Sequence, residues 1–106
     1  MTFDVLIELP AHTIIKRNAT WWAKNRSAAE AIAWMDAIYE QLKALQTIPE
    51  QHNFAHENAE FDFDLRQKLV GIGSRKTYRA LFTIRGSTVH ILELLAAEQD
   101  DWIPES

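Results

Sequence analysis

Cationic side chains concentrate in one stretch of this chain, between residues 65 and 95. The stretch holds six of the eleven Lys and Arg residues: Arg66, Lys68, Arg75, Lys76, Arg79 and Arg85. It contains no Asp or Glu before Glu93, although the protein has a formal net charge of -4. Cations gathered in this way can hold phosphates or a carboxylate-rich peptide. The set predicts a partner-binding surface for something anionic; chance clustering on a solvated sheet face is the alternative.

Spacing sharpens this prediction for three of the cations. Arg66 and Lys68 are two residues apart in a predicted strand, so their side chains point to the same face. Arg79, on the next predicted strand, can join them across the ladder. Two acidic blocks without Lys or Arg flank the whole set, one before Arg66 and one after Arg85.

Other residues that could do chemistry give weaker patterns. His52 and His56 are four apart, a spacing that binds a metal on a helix, but no third ligand is evident and a solvated loop is favoured. The chain has no cysteine, which excludes disulfides, thiolate metal sites and cysteine nucleophiles. The GIGS sequence at 71–74 is too short for a phosphate-binding loop. We therefore predict no metal site and no cofactor.

Two adjacent tryptophans stand out in the first half of the chain. Trp21 and Trp22 diverge by about 100° on a helix, so both cannot bury against the same element. We expect one in the core and assign the other, Trp21, to a partner interface, where Trp is enriched.

The pattern of apolar residues predicts the elements that position these side chains. Residues 2–9 alternate as a strand with one wet face, and Pro10 ends it and suits the first turn of a helix over 11–25. Ser27 and Glu30 form a capping box for a second helix. The apolar stripe of this helix consists of Ile32, Met35, Ile38, Tyr39, Leu42 and Leu45. A long polar surface loop is expected over 50–64.

Three strands follow the loop. Residues 65–70 and 76–85 alternate, and 88–95 is apolar on both faces, so it should be central and covered. Gly86-Ser87 is the signature of a type II′ hairpin turn. The elements predict an α+β two-layer domain of order β-α-α-β-β-β, with an antiparallel helical hairpin over a three-stranded antiparallel meander and the first strand at a sheet edge.

Length and composition bound the class of protein. The 106 residues fit one domain, 1–106, with a loose acidic tail over about 96–106. The longest apolar runs fall far short of a membrane span, and the N-terminus carries Asp4 and Glu8 where a signal peptide has basic residues. We expect a cytoplasmic protein with no membrane partner.

The sequences LRQKLVG and SRKTYRALFTIRGSTVHILELL, in this order of elements, resemble the RelE/ParE superfamily of bacterial type II toxins. The resemblance covers nearly the whole chain. Its most specific parts are the strand at 65–69, the strand at 78–82 and the hairpin at 86–90; residues 49–65 also resemble the family's link between the second helix and the sheet.

The resemblance implies a toxin neutralised by a cognate antitoxin protein, and it leaves the activity open. In the ribonuclease branch, which cleaves mRNA on the ribosome, Arg66, Lys68 and Arg79 match the basic residues that stabilise the phosphate. That branch also has a basic residue and an aromatic acid/base after the last strand, where this chain has acids and Trp102. The ParE-like branch, which inhibits DNA gyrase without cleaving RNA, fits better. A toxin-like interaction module without toxicity is a third reading.

Overall fold

The backbone follows the predicted order of elements. The computed structural model describes residues 2–73 and 77–97. Its helices and strands are β1 (Asp4–Ile7), α1 (Leu9–Asn25), α2 (Ala28–Lys43), β2 (Arg66–Val70), β3 (Tyr78–Arg85) and β4 (Thr88–Ala96). Short 3-10 turns at Ala44–Gln46, Pro49–Gln51 and Asn58–Glu60 link α2 to β2. The predicted α+β class is confirmed.

The four strands form one sheet in the order β1-β4-β3-β2. β2, β3 and β4 are the predicted antiparallel meander, and Gly86 at φ 60 occupies the turn between β3 and β4. β1 lies at an edge, as expected, and pairs with β4 in parallel, with Val5 opposite Val89. The sheet is therefore mixed, and β4 is a central strand with β1 along one edge and β3 along the other.

The helical hairpin lies close to its predicted bounds, except that α1 begins at Leu9, two residues before the predicted start at 11 and inside the predicted strand. Pro10 lies in the first turn of α1, where its missing N–H costs no hydrogen bond. Ser27 caps α2, because its Oγ accepts from the backbone N–H of Glu30 at 3.0 Å. The Glu30 carboxylate accepts from Arg26 Nε instead, at 3.2 Å, so only the hydroxyl half of the predicted capping box forms.

The helices pack their apolar faces on one side of the sheet, and this side holds the main core. Ile38, Leu42 and Leu45 are fully buried there, as predicted. The prediction for Ile32 was wrong, since its side chain is 59% exposed. The buried face of α2 begins instead at Ala31 and Trp34, because residues 31, 34, 38 and 42 follow the helical repeat.

The opposite side of the sheet is also covered, which corrects the expected surface loop. Residues 53–64, here called the covering segment, lie across this second side. Ala55 is buried and Phe61 and Phe63 pack against Leu81 and Leu95 of the sheet. Thr83 Oγ1 donates to Asp64 O at 2.8 Å and fixes the end of the segment. Among the described residues, the centre of the sheet is therefore covered on both sides.

The structure describes no helix with both the length and the apolar character that crossing a membrane requires. The predicted acidic tail lies outside the described residues from residue 98 onward.

Candidate functional site

Arg66 and Lys68 lie on one face of β2, as predicted, and this is the side of the sheet that carries the helices. Arg66 lies opposite Phe82 and Lys68 opposite Ala80, and both of these β3 residues belong to the helix-side core. Because β2 is the edge strand, the two cations lie at the rim of this core and are partly exposed.

Each of these cations binds backbone carbonyls of the same chain. Arg66 Nη1 donates to Glu50 O at 3.0 Å and to His52 O at 2.7 Å, and its guanidinium lies 4.2 Å from the centre of the Phe54 ring. Lys68 Nζ donates to Gln41 O at 2.6 Å, in the last turns of α2. A cation there also meets the negative end of the helix dipole. Both cations thus fasten neighbouring segments to β2.

The His52 imidazole lies beside these two cations. Its ring packs edge-on against Phe82, with ring centres 6.0 Å apart. Partial burial, together with the charges of Lys68 and Arg66, lowers the pKa of His52 below its usual 6.5. The imidazole is therefore neutral at pH 7 and can accept a proton or a hydrogen bond.

A shallow cleft of about 360 Å³ opens at this place. Its lining is mostly amide and basic side chains, with Gln51, His52, Asn53, Gln67, Lys68 and Leu69. The lining suits a small anionic or amide-bearing group. Sequence reasoning assigned the two cations but missed His52, because only the tertiary fold brings residue 52 to residue 68.

Arg79 does not join Arg66 and Lys68, and this expectation was wrong. It lies opposite Leu69 in the β2–β3 ladder, so its side chain points to the other face of the sheet. There it is 3% exposed, beneath the covering segment. Side chains alternate along a strand, and Arg79 lies opposite Leu69, one residue after Lys68. Arg79 is therefore on the other face of the sheet from Arg66 and Lys68.

Glu57 of the covering segment neutralises Arg79. Arg79 Nη1 and Nη2 donate to the two carboxylate oxygens of Glu57 at 3.0 and 2.8 Å, and Nη1 also donates to Gln67 Oε1 at 2.9 Å. Glu57 is 1% exposed. A bidentate buried pair of this kind holds both charges out of contact with an external ligand. No periodicity in the sequence marks Glu57 as the partner.

The remaining predicted residues lie apart from this cleft. Arg85 is exposed at the β3–β4 turn, 5.9 Å from the centre of the Phe63 ring. Trp21 is 55% exposed on α1, and Trp22 packs partly against the core, as the divergence of adjacent residues predicted. Arg75 and Lys76 lie outside the described residues.

His52 and His56 do not form a metal site. In the described ranges 2–73 and 77–97, no group of three His, Cys, Asp or Glu side chains converges. His56 is exposed and its Nε2 lies 3.5 Å from Glu57 Oε1, while His52 lies in the cleft. The two imidazoles therefore lie in different places and do not face a common site.

Comparison with known proteins adds evidence on the fold. No family model matches this sequence, and no curated protein does. A solved chain described as "Chromosomal ParDE TA system from P. aeruginosa" matches with a TM-score of 0.73 and 18% sequence identity, covering 92% of this chain and 98% of that chain. At this identity the likeness shows the fold alone. The chain has the fold of a ParDE system chain, in agreement with the RelE/ParE resemblance drawn from its sequence.

Proposed function

We propose that this protein is the toxin of a type II toxin–antitoxin system, which inhibits growth by binding a cellular target and is neutralised by a cognate antitoxin. The proposed target is DNA gyrase, as in the ParE-like branch of the family. The likeness of the whole fold to a ParDE system chain supports the class of protein. The proposal places the protein in the cytoplasm, where such a target would be met.

The buried Arg79–Glu57 pair is the observation that favours a binding toxin over a ribonuclease. Electrostatic stabilisation of a phosphoryl transition state needs cations that point at the reacting phosphate. Arg79 points away from Arg66 and Lys68 in the register of β2 and β3, and its charge is matched by Glu57. The three cations that the ribonuclease branch needs together are thus divided between two faces.

The antitoxin is proposed to bind sheet cations that the covering segment does not bury. These are Arg66 and Lys68 at the rim of the sheet and Arg85, which is exposed at the β3–β4 turn; Arg75 and Lys76 stay in the predicted set and lie outside the described residues. An acidic, initially disordered segment would be steered to them by their charge. Arg79 is removed from the predicted partner set, because it is buried beneath residues 53–64.

A ribosome-dependent endoribonuclease is the second candidate, and one observation favours it. The neutral His52 imidazole lies with Lys68 in a cleft that could take a phosphate. In that case His52 would accept a proton and Lys68 would stabilise charge.

Expression in a bacterium without the antitoxin tests the proposal. We expect growth to arrest, with loss of plasmid supercoiling before any cleavage of mRNA. Early cleavage of ribosome-bound mRNA, lost in a Lys68→Ala variant, would establish the second candidate. Growth that continues unchanged at high expression would leave a toxin-like interaction module without toxicity.

A further inference from the structure

A row of exposed side chains runs along α1 on the side away from the sheet. This row, here called the α1 stripe, consists of Thr13, Lys16, Arg17, Thr20, Trp21 and Lys24, all of them exposed. At 1.5 Å per residue, Lys16 and Lys24 lie about 12 Å apart along the helix axis. The stripe is thus long enough to contact a partner through several side chains at once.

The position of the stripe follows from the helical repeat. Ala11, Ile15 and Ala19 are the buried residues of α1, and at 100° per residue the stripe is centred opposite them. The stripe is therefore the face of α1 that no element of the described chain covers.

Charge separates the two helices of the hairpin. α1 contains Lys16, Arg17 and Lys24 and no Asp or Glu. α2 contains Glu30, Asp36 and Glu40 beside Lys43. One helix thus presents a basic outer face on a protein whose net charge is -4.

The cations of the stripe make no ion pair with the described part of the chain. Within residues 2–73 and 77–97, no carboxylate lies within ion-pair distance of Lys16, Arg17 or Lys24. This distinguishes them from Arg79, which Glu57 neutralises. The two threonine hydroxyls donate to carbonyls of α1 itself, Thr13 to Leu9 O and Thr20 to Lys16 O. What the stripe offers a partner is positive charge and one aromatic ring.

Trp21 supplies that ring, and its neighbour holds it in place. Trp22 packs partly against the core and meets Trp21 edge to face, with ring centres 5.8 Å apart and planes at 88°. A large ring fixed in this way loses little conformational freedom on binding. In protein interfaces generally, Trp is one of the residue types that contribute most of the binding free energy.

We propose that the α1 stripe docks this protein onto its cellular target, a protein that presents an apolar pocket for Trp21 within a rim of carboxylates. The inference rests on the proposed function as a binding toxin. Charge complementarity selects the chemistry of the rim, since Arg17 and Lys24 lie four residues before and three residues after Trp21, on the neighbouring turns of α1. The same charge argues for a compact protein partner over a nucleic acid, because a long polyanion would also run over Asp36 and Glu40, which are exposed on the neighbouring helix α2.

Two variants of the stripe test the inference, each with a matched control on α2. Trp21→Ala is compared with Ile32→Ala, which removes an apolar side chain of similar exposure, 59% against 55%. Lys24→Glu is compared with Lys43→Glu, because each lysine is exposed in the last turn of its helix and each reversal disturbs a helix dipole equally. Thermal unfolding of all four variants checks that the fold is retained.

The readouts are growth arrest on expression and inhibition of purified DNA gyrase by the purified full chain. We expect Trp21→Ala to weaken inhibition by about 30-fold or more. Lys24→Glu should weaken it more at low salt than at high salt. Both α2 controls should match the wild type in both readouts.

The outcomes separate this inference from the proposed function. If the wild type arrests growth and inhibits gyrase while the stripe variants do so equally well, the stripe is not the docking surface and the binding toxin remains. If the wild type neither arrests growth nor inhibits gyrase, the proposed function fails and the inference fails with it.

Two other occupants of the stripe would also overturn the inference. A single-stranded RNA oligonucleotide that binds the wild type but not Lys24→Glu, with gyrase inhibition unchanged, would make the stripe a nucleic-acid surface. A dimer in sedimentation that Trp21→Ala dissociates, again without change in inhibition, would assign the stripe to a second copy of this chain.

Discussion

Arg79 and Glu57 form a two-pronged ion pair that is almost wholly removed from water, at 3% and 1% exposure. Moving charges of this kind into the protein is costly, and the fold offsets the cost with matched geometry and a third bond from Arg79 to Gln67. Arg79 Nε remains buried without a hydrogen-bond partner. The pair fastens the covering segment to the sheet and takes Arg79 out of any external contact.

Removing one partner of this pair should destabilise the protein strongly. Glu57→Ala leaves the Arg79 guanidinium buried without a counter-charge, and we expect the free energy of unfolding to fall by about 3–5 kcal/mol. Urea denaturation measures the change. The exposed Arg26–Glu30 pair is the control, with side chains 58% and 44% exposed, and Arg26→Ala should cost no more than about 1 kcal/mol.

A double variant separates the contribution of the ion pair from the contribution of side-chain packing at these two positions. Replacing both members with Met, as Glu57→Met with Arg79→Met, removes both buried charges and should recover most of the lost stability. A double variant as unstable as Glu57→Ala would show that the ion pair itself, and no simpler packing role, holds the covering segment.

His52 should make stability depend on pH. Its folded pKa lies below 6.5, because burial and then the charges of Lys68 and Arg66 disfavour the imidazolium. Between the folded pKa of His52 and 6.5, the unfolded chain binds more protons than the folded protein. The free energy of unfolding is therefore free of this penalty above pH 6.5 and decreases as the pH falls from 6.5 through the folded pKa. Unfolding measured across acid pH should show the loss, and His52→Gln should flatten it. An NMR titration that puts the His52 pKa above 6.5 would refute the sign.

The helices and strands could be predicted from the sequence because their signals are local. Alternation at residues 2–9 marked β1, and Ser27 marked the start of α2; the structure has β1 at Asp4–Ile7 and α2 from Ala28. Pro10 did not mark the end of the strand, because β1 ends at Ile7 and Pro10 already lies in the first turn of α1. The turn at Gly86 followed from the same local chemistry. The path of residues 53–64 could not be predicted, because their polar sequence gives no sign that Ala55, Phe61 and Phe63 pack on the sheet.

The candidate site could be predicted only in part, for the same reason. The common face of Arg66 and Lys68 follows from their spacing in one strand, and the structure has it. The position of Arg79 depends on the register between β2 and β3, with Leu69 opposite Arg79, and no local signal sets that register. His52 and Glu57 reach their partners through contacts distant in sequence.

The cap of α2 can be tested at the level of the element. Ser27→Ala removes the Oγ that accepts from Glu30 N, and we expect the protein to lose about 1 kcal/mol of stability. Thr20→Ala is a control on α1, since its hydroxyl donates to a carbonyl within the same helix and Ala is the better helix former. Chemical denaturation of the two variants should give a loss for Ser27→Ala alone; equal stability would remove the cap from the account of how α2 begins.

At the scale of the whole molecule, three groups of described cations differ in what they contact. Arg79 is neutralised inside the protein, Arg66 and Lys68 bind carbonyls at the rim of the sheet, and Lys16, Arg17 and Lys24 face outward on α1. Within residues 2–73 and 77–97, the sheet edge with Arg66 and Lys68 and the α1 stripe on the hairpin are separate basic surfaces. The proposed antitoxin and the proposed target would each use one of them.

Supercoiling of relaxed plasmid by purified DNA gyrase is the measurement that tests the central claim most directly. Added to the reaction at increasing concentration, the purified full chain should inhibit supercoiling in proportion to the gyrase it occupies, while mRNA on translating ribosomes stays intact at the same concentrations. Full supercoiling in the presence of excess protein, together with cleavage of that mRNA, would contradict the account and assign the protein to the ribonuclease branch.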